Sequence, residues 1–208
     1  MSFQDSSEDS GASLEADGTR EHSCGDPSSC RQDDATTGSN RAPDDGSAND
    51  GHHPSPRRDY GQVRAMLEAT PQEFSRIIEG ESRERLAKPA SDGDWGVVEI
   101  LPHIADWEEV AAFWTGRILR EETPVLDAVD DSLWAIEHDY ASEDPYQALE
   151  RFAALRLALV ETLQGINDDD WQRSVIHAAH GRITLHQFAD RICDHDARCL
   201  AQAHDALS

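Results

Sequence analysis

An all-α four-helix bundle is the fold class this chain predicts, and three observations predict it. Four segments place apolar residues every three or four positions, the period of a helix with one buried face. Capping and stopping residues bound these segments. Strand signals are poor, and only "SVIHAAHGRIT" suits a short extended piece.

The first segment, 59–69, sets Tyr60, Val63, Met66 and Leu67 on one side. In "TPQEF", Thr70 reads as an N-cap, Pro71 as the first helical residue and Glu73 as the partner in a capping box. Phe74, Ile77 and Ile78 continue the stripe, and Gly80 reads as a stop. "SRERLAKPASDGD" reads as a loop with one turn around Leu86. A long helix is predicted over 94–120. Its broad apolar face carries Val97, Ile100, Leu101, Ile104, Trp107, Ala111, Trp114 and Ile118, and Pro102 inside it predicts a kink. "DSLWAIEHDYA" reads as a short helix. The segment 145–164 aligns Leu149, Phe152, Leu159, Val160 and Leu163. The last helix starts at a Thr184 cap and runs almost to the C-terminus, with Leu185, Phe188, Ile192, Cys199 and Ala203 facing inward.

Residues 1–58 read differently. Ser, Asp, Gly, Asn and Pro dominate, and such a segment buries too little surface to offset its chain entropy. A disordered acidic tail is expected there, followed by one folded domain over 59–208. His22, Cys24, Cys30, His52 and His53 fall in the tail at spacings that match no usual pair of zinc-ligand turns.

Charge narrows the function. The 208 residues carry 42 acids against 18 bases, a net charge of -24, which would repel nucleic-acid phosphates. Lys88 is the only lysine. That composition suits a salty cytoplasm, where salt screens self-repulsion. No apolar run approaches the roughly 20 residues that span a bilayer, and the acidic N-terminus lacks the features of a signal peptide. A cytoplasmic protein without nucleic-acid or membrane partners is expected, as monomer or homodimer. Its four cysteines do not suggest a disulfide framework.

At about 100° per residue, His103 falls inside the apolar stripe of its helix. His195 and Cys199 are separated by four residues, so they project side by side. A bundle that brings His103 to this pair would offer zinc two imidazoles and a thiolate, with a fourth position open. The other reading of these residues is a core histidine and a small buried hydrophobe. Glu99 and Asp106 stand one turn to either side of His103, where each either orients its imidazole or faces solvent. Arg156 interrupts the stripe of 145–164. Buried there, it needs an acidic partner, for which Asp196 is the candidate, or a substrate carboxylate.

The stretches "LEATPQEFSRIIEG", "DGDWGVVEILPHIADWEE" and "DDDWQRSVIHAAHGRITLHQFADRICDHDARCLAQ" together resemble the DinB/YfiT-like superfamily over 65–203. That superfamily includes mycothiol-dependent maleylpyruvate isomerases and bacillithiol transferases. The resemblance implies an up-down-down-up bundle with a long crossover. It also implies a divalent metal held by three histidines, one from an "HxxDxE" region and two from "HxxxH". Carried over by position, the ligands are His103 in "HIADWE", then His195 and Cys199 in "HDARC", where cysteine replaces the usual third histidine. A His/His/Cys set favours zinc among divalent metals. The implied chemistry is thiol transfer or hydrolysis on a small electrophilic substrate, with a low-molecular-weight thiol as a possible cosubstrate. The rival is a non-catalytic bundle whose site has decayed at Cys199.

The charge balance makes a prediction of its own. The midpoint of chemical unfolding should rise between low and molar salt, and an unchanged midpoint would contradict the screening argument.

Overall fold

The computed structural model describes residues 58–91 and 93–208. The expected tail and its five histidines and cysteines lie outside the described residues, Arg58 excepted. The elements are α1 (Tyr60–Ile78), α2 (Arg83–Leu86), α3 (Val97–Arg120), β1 (Val125–Leu126), α4 (Trp134–Glu137), a 3-10 turn (Tyr140–Ser142), α5 (Pro145–Gln164), α6 (Asp168–Trp171), β2 (Ser174–His177), β3 (Gly181–Thr184) and α7 (Leu185–Ala206). Among the described residues no helix is long and apolar enough to cross a membrane.

One expectation is corrected in α1. Thr70 and Pro71 do not start a second helix, because α1 runs unbroken through them. Its N-cap is Asp59, whose carboxylate accepts from the Gln62 backbone N–H at 2.8 Å. A mid-helix proline removes an N–H and frees the carbonyl four residues back. That carbonyl belongs to Leu67, and it accepts from Arg156 Nη1 at 3.1 Å. The Thr70 hydroxyl lies 3.0 Å from both the Met66 carbonyl and Asp196 Oδ2. Tertiary partners thus take up what the proline released. Gly80 does mark the stop, with φ at +76°.

α3 begins at Val97, later than the sequence predicts, with Gly96 as N-cap. A Cβ on Gly96 would stand 2.7 Å from the Leu86 carbonyl oxygen, so only glycine lets the α2 backbone approach this closely. The end of α3 is closed by Arg173. Its Nε donates to the Ile118 carbonyl and its Nη2 to the Glu121 carbonyl, each at 2.7 Å. The extended piece predicted in 174–184 is an antiparallel β2–β3 hairpin, with Val175 opposite Ile183, and β1 adds in parallel beside β2. β1 and α6 had no clear signal in the sequence; they are two and four residues long.

Contacts between helices fix the topology. The Tyr146 hydroxyl, at the start of α5, donates to the Ile78 carbonyl at the end of α1, and Arg156 reaches back to Leu67. Those helices are antiparallel. Cys193 meets Val63 and Asp196 meets Thr70, so α1 and α7 are parallel. His103 meets His195 and Trp114 meets Phe188, so α3 opposes α7. The order is up-down-down-up. Because α3 and α5 point the same way, the chain needs the long crossover 121–144.

The core divides into two apolar clusters, one toward each end of the bundle. Leu67, Trp107, Leu159 and Cys193 belong to one; Phe74, Ile104, Phe152 and Cys199 belong to the other. On each long helix, polar residues fall at or beside the change from one cluster to the other: Thr70, Glu108, Arg156, and His195 with Asp196, all buried. Arg156 Nε and Nη2 donate to the two Glu108 oxygens at 2.8 Å each. Nη1 and Nη2 donate to Asp196 at 2.6 and 3.1 Å. With the Leu67 contact, all five N–H donors are used, on acceptors from α1, α3 and α7. Breaking such a buried set strands its carboxylates. Arg156→Leu should therefore lose about 3–5 kcal/mol of unfolding free energy, measured by denaturant titration. Adding Glu108→Leu and Asp196→Leu should recover most of that loss.

Candidate metal centre

His103 projects from the second turn of α3, and His195 and Cys199 from adjacent turns of α7. The antiparallel crossing brings them together. His103 Nε2 lies 3.2 Å from His195 Nε2, and Cys199 Sγ lies 3.6 Å from His195 Nε2. One ligand atom from each of the three falls within 4.8 Å of the others. Tetrahedral zinc, with nitrogens at about 2.0–2.1 Å and sulfur at about 2.3 Å, requires separations of about 3.3 Å between nitrogens and about 3.6 Å from nitrogen to sulfur. The His103–His195 and His195–Cys199 separations fit that ion, and the His103–Cys199 pair lies within 4.8 Å.

All three residues are buried. Burial, reinforced by the neighbouring His195, pushes His103 well below the usual histidine range. Burial, then the charges of Arg198 and Arg156, lowers His195 to about 3. Both imidazoles are therefore neutral near pH 7, the form that binds metal. Aromatic rings pack against the two imidazoles. Trp95 stands edge-on to His103 with centroids 5.0 Å apart, Tyr140 follows at 6.4 Å, and Trp107 lies 6.1 Å from His195.

The acids named with His103 have other partners. Glu99 Oε2 accepts from the Gly96 backbone N–H at 2.9 Å and so serves the helix start. Asp106 Oδ2 accepts from the Tyr140 hydroxyl at 2.7 Å and lies 2.6 Å from His138 Nδ1. Its Oδ1 accepts from Arg151 Nη1 at 2.6 Å. These partners lower its pKa despite partial burial. Neither acid hydrogen-bonds His103, whose buried Nδ1 has no hydrogen-bond partner among the described residues. Asp106 holds the crossover to α3 and α5 and reaches the imidazole only through its charge. The substrate-binding role expected for Arg156 is also corrected: its donors are already occupied by Glu108, Asp196 and Leu67, so none is free for a ligand.

Other histidines serve the scaffold. His186 Nε2 donates to the Arg58 carbonyl at 2.7 Å. His177 Nδ1 accepts from the Ala179 N–H, and its ring packs on Trp114. Burial pushes the Cys193 thiol up to about 12, and it packs against α1. Sequence reasoning missed Tyr140 and Arg198 near the trio. Arg198 carried a readable signal, since it lies one turn after His195.

Comparison with known proteins places this arrangement. A model of the DinB superfamily matches residues 66–203. The chain belongs to the DinB superfamily. Among curated relatives, "Putative metal-dependent hydrolase YfiT" of Bacillus subtilis is 26% identical over 112 residues, which is 54% of this chain and 63% of that protein. A "Putative metal-dependent hydrolase" of Geobacillus thermodenitrificans is 26% identical over 111 residues, 53% of this chain and 62% of that protein. The chain thus spans less than two thirds of these relatives. The solved structure of YfiT from Bacillus subtilis, described as having an unusual four-helix bundle topology, superposes with a TM-score of 0.68 at 23% identity. That match covers 74% of this chain and 91% of YfiT, and it establishes the fold.

Cys199 gives this DinB centre a spectroscopic handle. Cobalt-substituted protein should show a thiolate-to-cobalt charge-transfer band in the near ultraviolet. Cys199→His should abolish the band while keeping one metal per chain. A band that survives this replacement would exclude Cys199 as a ligand.

Proposed function

We propose that this chain is a metal-dependent enzyme that holds one divalent ion, zinc, on His103, His195 and Cys199. The observation that carries the reading is the convergence of those three buried side chains at metal-ligand spacing. Two neutral imidazoles and a thiolate suit zinc's borderline softness, and three protein ligands leave a fourth position for chemistry. The names of the curated relatives support hydrolysis of a small electrophilic substrate as the reaction class. Transfer of a low-molecular-weight thiol is the second reaction suited to the same centre.

Zinc held there supplies Lewis acidity and lowers the pKa of a water or thiol ligand. The chain's own residues orient and exclude water. Trp95, Trp107 and Tyr140 pack on the two imidazoles and lower the effective dielectric there, which strengthens every charge interaction inside. The Tyr140 hydroxyl is tied to Asp106, and burial raises its pKa well above the usual phenol range. It positions the crossover and does not release a proton.

Protein purified from zinc-supplemented medium should contain about one zinc per chain. His103→Ala should lose that zinc, together with any hydrolysis or thiol transfer found by substrate screening. A stable wild-type protein that takes up no metal would favour the non-catalytic bundle and contradict this reading.

A further inference from the structure

The cationic side chains that have been placed so far all have partners. Arg156 uses five donors, Arg151 reaches Asp106, Glu109 and Glu143, and Arg58 reaches Asp190 and Asp194. Arg198 differs. Its Nε and Nη2 are sealed from solvent, and neither has a hydrogen-bond partner among the described residues. A buried guanidinium N–H without an acceptor is costly. Scarcity of acceptors does not explain it, because acids exceed bases by 24 in this chain. In so acidic a protein, two nitrogens of this guanidinium are left without an acceptor among the described residues.

Its position gives the orphan a use. Arg198 lies three residues after His195 and directly before Cys199, on the helix that supplies both α7 ligands. Side chains on a helix lean toward its N-terminus, so Arg198 lies over the turn that carries His195. Its charge is felt there, as the second contribution to the lowered His195 pKa after burial. A guanidinium presents a planar fork that matches a carboxylate. We propose that Arg198 is an anion subsite beside the metal centre, taking the carboxylate of the small molecule engaged there. The enzyme then selects anionic substrates over neutral ones of the same size. This deepens the metal-enzyme reading and rests on it.

The test uses binding of simple thiols to the zinc-loaded full chain, measured by calorimetry. The probes are 3-mercaptopropionate, which carries a carboxylate, and 2-mercaptoethanol, which does not. Wild type should bind the first at least about tenfold more tightly, the gain expected of a charge-assisted contact. Arg198→Gln should reduce the ratio to near one, with 2-mercaptoethanol affinity and zinc content unchanged. Arg198→Lys should retain a reduced preference. A wild-type ratio near one, or a ratio that survives Arg198→Gln, overturns the subsite while leaving the metal reading intact. If Arg198→Gln unfolds or sheds its zinc, Arg198 is a structural residue and the subsite also falls. A wild-type protein without zinc overturns the metal reading and this inference together.

Discussion

Arg156 sets the level at which the four long helices meet. It stands on α5, and its guanidinium reaches the Leu67 carbonyl of α1, Glu108 of α3 and Asp196 of α7. An apolar core of similar volume would constrain the helices' axial register less sharply, because dispersion and area burial are not directional. Five donors in a rigid plane specify that register. Burial drives the Glu108 carboxyl upward against the pull of Arg156, so the cluster is costly to assemble and costly to break. Asp196 follows His195 directly, and Glu108 lies on the helix that carries His103. The register held by Arg156 therefore also fixes how His103 faces His195.

The same constraint accounts for the composition of the mid-bundle layer. An apolar cluster lies on either side of it. Within the layer, the charged groups satisfy one another and the imidazoles stay neutral. His103 meets aromatic edges in place of a carboxylate, so its orientation comes from packing and helix geometry. As a metal ligand, His103 would depart from the usual bound histidine, whose second nitrogen donates to an oxygen. Bound to a metal, Cys199 would bring one negative charge that a third histidine would not bring. Arg198 adds positive charge on the same helix.

The sequence made much of this legible. Four amphipathic periods gave the long helices, and the bounds of α5 and the Thr184 cap of α7 agree with the structure. His103, His195 and Cys199 stood out because each interrupts or edges an apolar stripe. Thr70 and Pro71 misled because their local signal is that of a helix start. Only a partner 89 residues beyond Leu67, Arg156, explains how a proline sits inside α1. Glu99 and Asp106 misled for a related reason. Spacing along one helix places a carboxylate near an imidazole, but capping and the crossover claim these two first. Arg156 was legible as a buried charge and its partner Asp196 was named from helix geometry. Glu108 was not, although it lies in the apolar stripe four residues after Ile104.

On the proposed reading, the polar layer of this bundle binds a metal through two imidazoles and one thiolate. X-ray absorption at the zinc edge of the purified full chain tests it most directly. One sulfur neighbour at about 2.3 Å is expected, together with nitrogen or oxygen neighbours at about 2.0–2.1 Å. A zinc shell without sulfur, or a chain that binds no zinc, would contradict it.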